Sequence, residues 1–310
     1  MVNFQKNVFL KDYSNYKIGG PARLFVQVET MEELTEVLRS AKQNQDLKVF
    51  ILGGGTNVLI GDRGFDGLVI HNKIEGINIV DRGLEMGSGV MIRDLLTFCI
   101  ENSLSGLEWA GGLPGTVAGA VRGNAGAFKG ETKDSVLEVR SLDIKTLEEK
   151  IRTNKECNFG YRNSVFKSGA NEFITHAVLI LTDGDKEEIR EKILQKIDYR
   201  NNRHPMDYPN IGSTFKNIPL DSLSQNLQKE FAPFVKTDPF PLVPTAKLLA
   251  LSGLKGKRAG GAMISDKHPN FIINLNNAKA EDVKTLIAIA KEAVKEKYGI
   301  NLEEEIQYVE

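Results

Sequence analysis

From position 109 the chain reads Trp109-Ala110-Gly111-Gly112-Leu113-Pro114-Gly115-Thr116-Val117-Ala118-Gly119-Ala120, followed almost at once by Gly123-Asn124-Ala125-Gly126-Ala127. Glycine loses more conformational freedom on folding than any other residue, so this density of small residues is costly to order. Two arrangements can offset that cost: a loop packed tightly on itself, or a flat ligand lying against bare backbone. Another glycine segment, Leu52-Gly53-Gly54-Gly55-Thr56-Asn57-Val58, follows the short apolar run 47–52. Missing side chains there let backbone N–H groups approach a phosphate. Its glycine spacing is not the dinucleotide fingerprint, which also needs a helix directly after it. An ordinary tight turn is the competing reading.

Around these segments the periodicity changes along the chain. Thr30 and Glu33 form a capping box, and Met31, Leu34, Val37, Leu38 and Ala41 follow at helical spacing. The apolar runs 47–52 and 67–70 read as strands, so residues 1–72 make a small α/β unit. From 73 to 202 short strands at 77–80, 136–142 and 173–181 alternate with glycine turns. One helix spans 92–101, and another starts near Asp185 with Ile189, Ile193 and Ile197 on one face. The polar stretch 201–209 holds two prolines and marks a boundary. Residues 203–310 then carry helices at 245–251, stopped near Gly253, and at 281–298, stopped by Gly299.

Forty basic residues nearly balance forty-one acidic ones, for a formal charge of -1. That argues against a broad nucleic-acid or membrane footprint. The polar start of the chain has no apolar signal region, and no run reaches transmembrane length, so the reading is cytoplasmic. Cys99 and Cys157 lie far apart and read as free thiols; Cys99 sits in an apolar helical stripe. The four histidines, His71, His176, His204 and His268, have no metal-ligand spacing, and no metal is expected.

The glycine segments together resemble the FAD-binding region of the UDP-N-acetylenolpyruvoylglucosamine reductases. The resemblance continues through Asn15-Tyr16-Lys17-Ile18-Gly19-Gly20-Pro21-Ala22 and Phe159-Gly160-Tyr161-Arg162-Asn163-Ser164-Val165-Phe166. It extends to Gly212-Ser213-Thr214-Phe215-Lys216-Asn217, Ser265-Asp266-Lys267-His268-Pro269-Asn270-Phe271-Ile272 and Leu302-Glu303-Glu304-Glu305-Ile306. It implies an α+β fold: a two-subdomain FAD-binding module of the vanillyl-alcohol-oxidase/PCMH type, with subdomains 1–72 and 73–202, and a C-terminal substrate-binding domain, 203–310. It implies reduction of the enolpyruvyl ether of UDP-N-acetylglucosamine to UDP-N-acetylmuramate for peptidoglycan synthesis, with NADPH as co-substrate. No histidine stands beside Gly55-Thr56-Asn57, which implies noncovalent FAD. The expected cofactor contacts are Leu52, Gly53, Gly54, Gly55, Thr56, Asn57, Val58, Ala110, Gly111, Pro114, Gly115, Thr116, Gly119, Ala120, Asn124, Ala125 and Gly126. The expected substrate contacts are Tyr161, Arg203, Asn217 and Lys247. A monomer with neither nucleic-acid nor membrane partner is expected.

The resemblance assigns catalysis to Arg162, Ser213 and Glu305, and the residue chemistry suits the roles. Arg162 offers a planar, always-charged fork to a carboxylate and to the negative charge that builds beside it. Ser213 matches the proton donor, although serine needs an activating site. Glu305 matches the catalytic glutamate, with Glu303 and Glu304 as the neighbouring registers. The plain alternatives are a salt bridge, a turn serine and a solvated acidic run. Thr182-Asp183-Gly184-Asp185 leads directly to a helix, leaving no room for the substrate-clamping tyrosine loop that one subgroup carries; this is the shorter type. His204 and Arg122 depart from the family pattern. A flavin oxidase on the same scaffold would share the first two regions but not the Ser213 motif or the Glu305 tail.

Overall fold

Thr30 caps its helix, its hydroxyl accepting from the Glu33 amide at 3.2 Å, but the expected capping box is only half formed: Glu33 accepts from the Glu29 amide at 2.7 Å in place of that of Thr30. The helix, Met31–Lys42, buries Leu34, Val37, Leu38 and Ala41 against Val26, Val28, Leu68 and Ile70. Each fully buried aliphatic side chain there contributes about 1.5–3 kcal/mol. The sheet beneath runs Gln5–Phe9, Pro21–Val28, Phe65–Asn72, Val49–Leu52, the last two in parallel. The computed structural model describes residues 2–44, 47–169 and 171–310; Met1, Gln45, Asp46 and Ala170 lie outside the described residues.

A second sheet has the order Glu149–Thr153, Val136–Asp143, Glu172–Leu179, Gly83–Gly87, Ile77–Val80, antiparallel throughout. Its apolar face packs with Leu95, Leu96 and Cys99 of the Ile92–Glu101 helix and with the short Val117–Gly123 helix. Cys99 is therefore core, and both cysteines are buried free thiols. Across the sheet, Glu172 joins Arg152 through two bonds of 2.6 and 3.1 Å and accepts from Ser141 at 2.7 Å.

Residues 2–8, 22–44, 47–54, 66–169 and 171–199 fall in one compact unit; residues 9–21, 55–65 and 200–310 fall in the other. The strips 9–21 and 55–65, read from sequence as parts of the first α/β region, lie in the second unit for a definite reason. Strand Val58–Ile60 pairs in parallel with Gln307–Val309. Tyr16, Ile18 and Leu59 sit in a core built from Ile264, Ile272, Leu286 and Ile287. The helix near Asp185 also runs further than its apolar face suggests, Lys186–Arg203, through part of the polar stretch 201–209. Its only buried residues are Ile189 and Ile193. Pro205, which cannot donate an amide, follows the helix end.

In the second unit, Ala280–Tyr298 buries Val283, Leu286, Ile287, Ala290 and Val294, and Gly299 stops it at φ 69°. Asp62 accepts from the Ala280 and Glu281 amides at 2.9 and 3.4 Å, capping that helix from a distant loop. Strands Arg258–Ala259, Ala262–Ile264 and Ile272–Asn274 form one small sheet, while Ile218–Pro219 pairs with Leu242–Val243.

Candidate functional site

The glycine segments of the first unit meet each other. A Cβ on Gly54 would lie 2.9 Å from Gly115 Cα, and one on Gly53 would lie 2.8 Å from Thr116 Oγ1. Neither position accepts a side chain without movement. Thr116 caps the Val117–Gly123 helix, accepting from the Gly119 amide at 3.3 Å. Along that helix the space opens: a Cβ on Gly119 finds its nearest neighbour at 3.6 Å, and one on Gly123 finds nothing within 4 Å. The amides of Gly53 and Gly54 donate to no acceptor among the described residues. Free amides on bare backbone form a donor set that fits a diphosphate.

Other expected cofactor contacts are committed within the protein. Leu52, Ala110, Thr116, Ala120 and Asn124 are buried. Asn124 closes the helix at φ 41°, donates to Glu131 at 3.2 Å and to the Gly160 carbonyl at 3.0 Å, and accepts from the Lys133 amide at 3.0 Å. Its side chain holds loops together. Asn57, at the end of the first glycine segment, donates from Nδ2 to the Glu305 carbonyl at 3.1 Å, and its own carbonyl accepts from the Gln307 amide at 3.0 Å.

Arg162 stands at the tip of a tight hairpin. Gly160 and Asn163 exchange backbone hydrogen bonds of 3.0 and 3.2 Å, leaving Tyr161 and Arg162 as the turn. Arg162 has φ 54°, a left-handed conformation that disfavours a long side chain. Such local strain persists where surroundings over-determine it, often at functional positions. Those surroundings are visible: Arg162 Nη2 donates to the Gly126 carbonyl at 3.0 Å, and the guanidinium lies 5.4 Å from the Tyr161 ring centre. Lys167 Nζ donates to the Arg162 carbonyl at 2.9 Å.

Ser213 and Glu305 lie on neighbouring backbone stretches of the second unit. Phe215 and Glu304 form an antiparallel bridge, the Glu305 amide donates to the Thr214 carbonyl at 2.9 Å, and the Lys216 amide donates to the Glu303 carbonyl at 2.9 Å. Ser213 is half-buried and follows Gly212, whose φ of 82° suits glycine. The buried Asn270 fixes this stretch: its carbonyl takes the Thr214 amide at 2.7 Å and its side chain brackets Phe215. Glu303 pairs with Lys216, and Glu304 is engaged by Lys291 and the Tyr308 hydroxyl. Arg162 belongs to the first unit, Ser213 and Glu305 to the second.

Among the expected substrate contacts, Asn217 spends its Oδ1 on the Thr245 amide at 3.1 Å, capping the Thr245–Leu251 helix whose N-cap is Pro244. Lys247 holds its ammonium 4.0 Å from the Phe234 ring centre. Arg203 is exposed at the end of its helix. His204 stacks with His268 and Phe271 at 5.1 and 5.0 Å. Burial lowers both histidines to about 4, with neighbouring cations adding to the effect, so neither carries a positive charge at neutral pH. Asn270 has no role legible in the sequence, because its signal, a lone amide between Pro269 and Phe271, is too weak to interpret locally. Among the described residues no group of three or more His, Cys, Asp or Glu could hold a metal, and no helix is long and apolar enough to cross a membrane.

Residues 22–146 match the model of an FAD binding domain, and residues 204–309 match that of the UDP-N-acetylenolpyruvoylglucosamine reductase C-terminal domain. The UDP-N-acetylenolpyruvoylglucosamine reductase of Caldicellulosiruptor bescii is 38% identical over 99% of this chain and 91% of its own length. That of Geobacillus thermodenitrificans is 38% identical over 96% of this chain and 90% of its own. The crystal structure of the UDP-N-acetylenolpyruvylglucosamine reductase (MurB) of Thermus caldophilus superposes with a TM-score of 0.78 at 30% identity, covering all of both chains. The match over 204–309 disfavours an oxidase that shares only the cofactor module. With an FAD-binding domain, the reductase C-terminal domain and relatives matched over nearly their whole length, the chain belongs to the UDP-N-acetylenolpyruvoylglucosamine reductase family.

Proposed function

We propose that this protein reduces the enolpyruvyl ether of UDP-N-acetylglucosamine to UDP-N-acetylmuramate, a step of peptidoglycan precursor synthesis, using NADPH through noncovalently bound FAD. The observation that carries the reading is the pairing of the Phe215 and Glu304 stretches, which sets the Ser213 and Glu305 motifs side by side. FAD, when bound, would supply two-electron hydride chemistry between NADPH and the vinyl CH2 carbon.

The chain's own residues meet the remaining demands. The amides of Gly53, Gly54, Gly55 and Thr56 hold the cofactor diphosphate. Arg162 forks onto the substrate carboxylate and stabilises the charge that develops as the double bond is reduced. Ser213 delivers a proton to the carbon bearing that carboxylate, completing the lactyl ether. Glu305, on the stretch paired with that of Ser213, acts beside it. Tyr161, Asn217, Lys247 and Arg203 contact substrate, Arg203 at the diphosphate, while neutral His204 adds no charge there. Residues 1–72 and 73–202 serve the cofactor and 203–310 the substrate, a division that the matches at 22–146 and 204–309 support, although strips 9–21 and 55–65 pack in the second unit. The enzyme works as a cytoplasmic monomer, and its near-neutral net charge supports the absence of a nucleic-acid partner.

An anaerobic visible spectrum tests this reading. NADPH should bleach the yellow protein, and the enolpyruvyl ether should restore the colour with formation of the lactyl ether. A colourless protein, or colour restored only by oxygen, would overturn it.

A further inference from the structure

Arg122 sits in the last turn of the Val117–Gly123 helix, inside the glycine-rich region. It is half-buried, and desolvation lowers its pKa from the usual guanidinium value. Among the described residues no carboxylate, carbonyl or aromatic ring meets its guanidinium. Partly desolvating a cation without a counter-charge is unfavourable, so a protein retains one where something else compensates.

Its position indicates what that is. The Ser164 hydroxyl donates to the Arg122 carbonyl at 2.7 Å, Asn124 to the Gly160 carbonyl at 3.0 Å, and Arg162 to the Gly126 carbonyl at 3.0 Å. Three hydrogen bonds thus join the strained hairpin carrying Arg162 to the end of the helix carrying Arg122. The adjoining backbone is bare: a Cβ on Gly123 would meet nothing within 4 Å, and one on Gly160 only Asn163 Cβ at 3.9 Å. Two guanidinium-bearing segments are held together beside open space, and one guanidinium lacks an anion.

We propose that Arg122 is a second binding residue for the enolpyruvyl carboxylate, acting with Arg162 and making this chain's anion recognition doubly cationic. This rests on the reductase reading above. A carboxylate has two oxygens and room for two forked donors, so the pair can share it. The arrangement implies a trade: Arg122 weakens the ligand-free fold and strengthens the complex.

The test uses the FAD-loaded protein and its Arg122→Met and Arg122→Lys variants. Affinities are measured for the enolpyruvyl ether and for UDP-N-acetylglucosamine, which lacks the carboxylate. Flavin reduction by NADPH and NADH is followed separately. Arg122→Met should melt at or above the wild-type temperature without ligand. It should bind the ether about 10- to 100-fold more weakly, bind UDP-N-acetylglucosamine unchanged and keep the wild-type NADPH-to-NADH ratio. Arg122→Lys should recover part of the affinity. Unchanged ether affinity, equal weakening toward both UDP-sugars, or a loss confined to NADPH would overturn the proposal; the last would assign Arg122 to the cofactor's extra phosphate. A methionine variant that melts far lower or fails to fold would make Arg122 structural and overturn it too. Wild-type protein that does not prefer the ether would refute the reductase reading itself, whereas wild-type preference with an indifferent variant removes Arg122 alone.

Discussion

Asn270 grips the backbone of Phe215 from both sides: its Oδ1 accepts from the Phe215 amide at 3.0 Å, and its Nδ2 donates to the Phe215 carbonyl at 2.8 Å. The side chain imitates a neighbouring strand for one residue, two positions from Ser213. Both partners are buried. Replacing Asn270 by alanine therefore strands a buried donor and a buried acceptor, each costing about 1–3 kcal/mol. Urea titration of Asn270→Ala should show a loss of about 2–4 kcal/mol. A loss below 1 kcal/mol would mean that water replaces the amide and that the clamp is dispensable.

The glycine loops yield a contrast between two substitutions. Gly54→Val places a Cβ 2.9 Å from Gly115 Cα, so it separates two backbone segments before any ligand is considered. It should lower both flavin content and the melting temperature of flavin-free protein. Gly119→Ala meets its nearest neighbour at 3.6 Å, an ordinary contact. In a helix it should stabilise flavin-free protein by up to about 1 kcal/mol. The visible-to-ultraviolet absorbance ratio then reports whether that open face takes the cofactor. Full flavin retention by Gly54→Val would remove the first loop from the diphosphate site.

Much of this architecture is legible locally. The Ile92–Glu101 and Thr245–Leu251 helices follow from apolar spacing and their stops, because both signals lie within a few residues. The membership of strips 9–21 and 55–65 is not legible in that way. In the sequence Val58 only ends the first glycine segment of the first α/β region, yet Val58–Ile60 is a strand whose partner is Gln307–Val309 at the far end of the chain. Periodicity says which face of a strand is buried, not which distant segment covers it. Arg162 shows the same limit: its motif suggests the chemistry, but its left-handed backbone depends on anchors at Gly126 and Lys167.

Glu172 should make the first unit acid-sensitive in a defined window. Arg152 is the main cause of its depressed pKa of about 2, with Ser141 and Lys150 assisting against the desolvation that would raise it. A carboxylate whose folded pKa is depressed stabilises the fold above its unfolded pKa of about 4.5. That stability is lost as pH falls from there through about 2. Its size is on the order of 3 kcal/mol, and Glu172→Gln should forfeit most of it at pH 7. Urea midpoints between pH 7 and 2.5 should therefore fall more steeply for wild type than for Glu172→Gln below pH 4.5. Parallel curves would show that the Arg152 pair has no net role in folding.

Ser213→Ala separates proton delivery from everything else the site does. Ser213 follows Gly212 in a stretch held by Asn210 and Asn270, and neither of those anchors uses the Ser213 side chain. Alanine should therefore leave the backbone and the melting temperature close to wild type. Flavin reduction by NADPH needs no proton from Ser213 and should keep a near-normal rate. Reoxidation by the enolpyruvyl ether places hydride on one carbon and requires a proton on the next, so it should slow. General-acid catalysis contributes about 10²–10⁴-fold, or about 3–5 kcal/mol of barrier. If hydride transfer precedes proton transfer, the substrate can return its hydride, and exchange at the vinyl carbon should persist while net product falls. A serine that only shapes a turn predicts otherwise: both half-reactions impaired, or neither. Stopped-flow traces of flavin absorbance in each half-reaction decide between them, and equal slowing of both would remove Ser213 from catalysis.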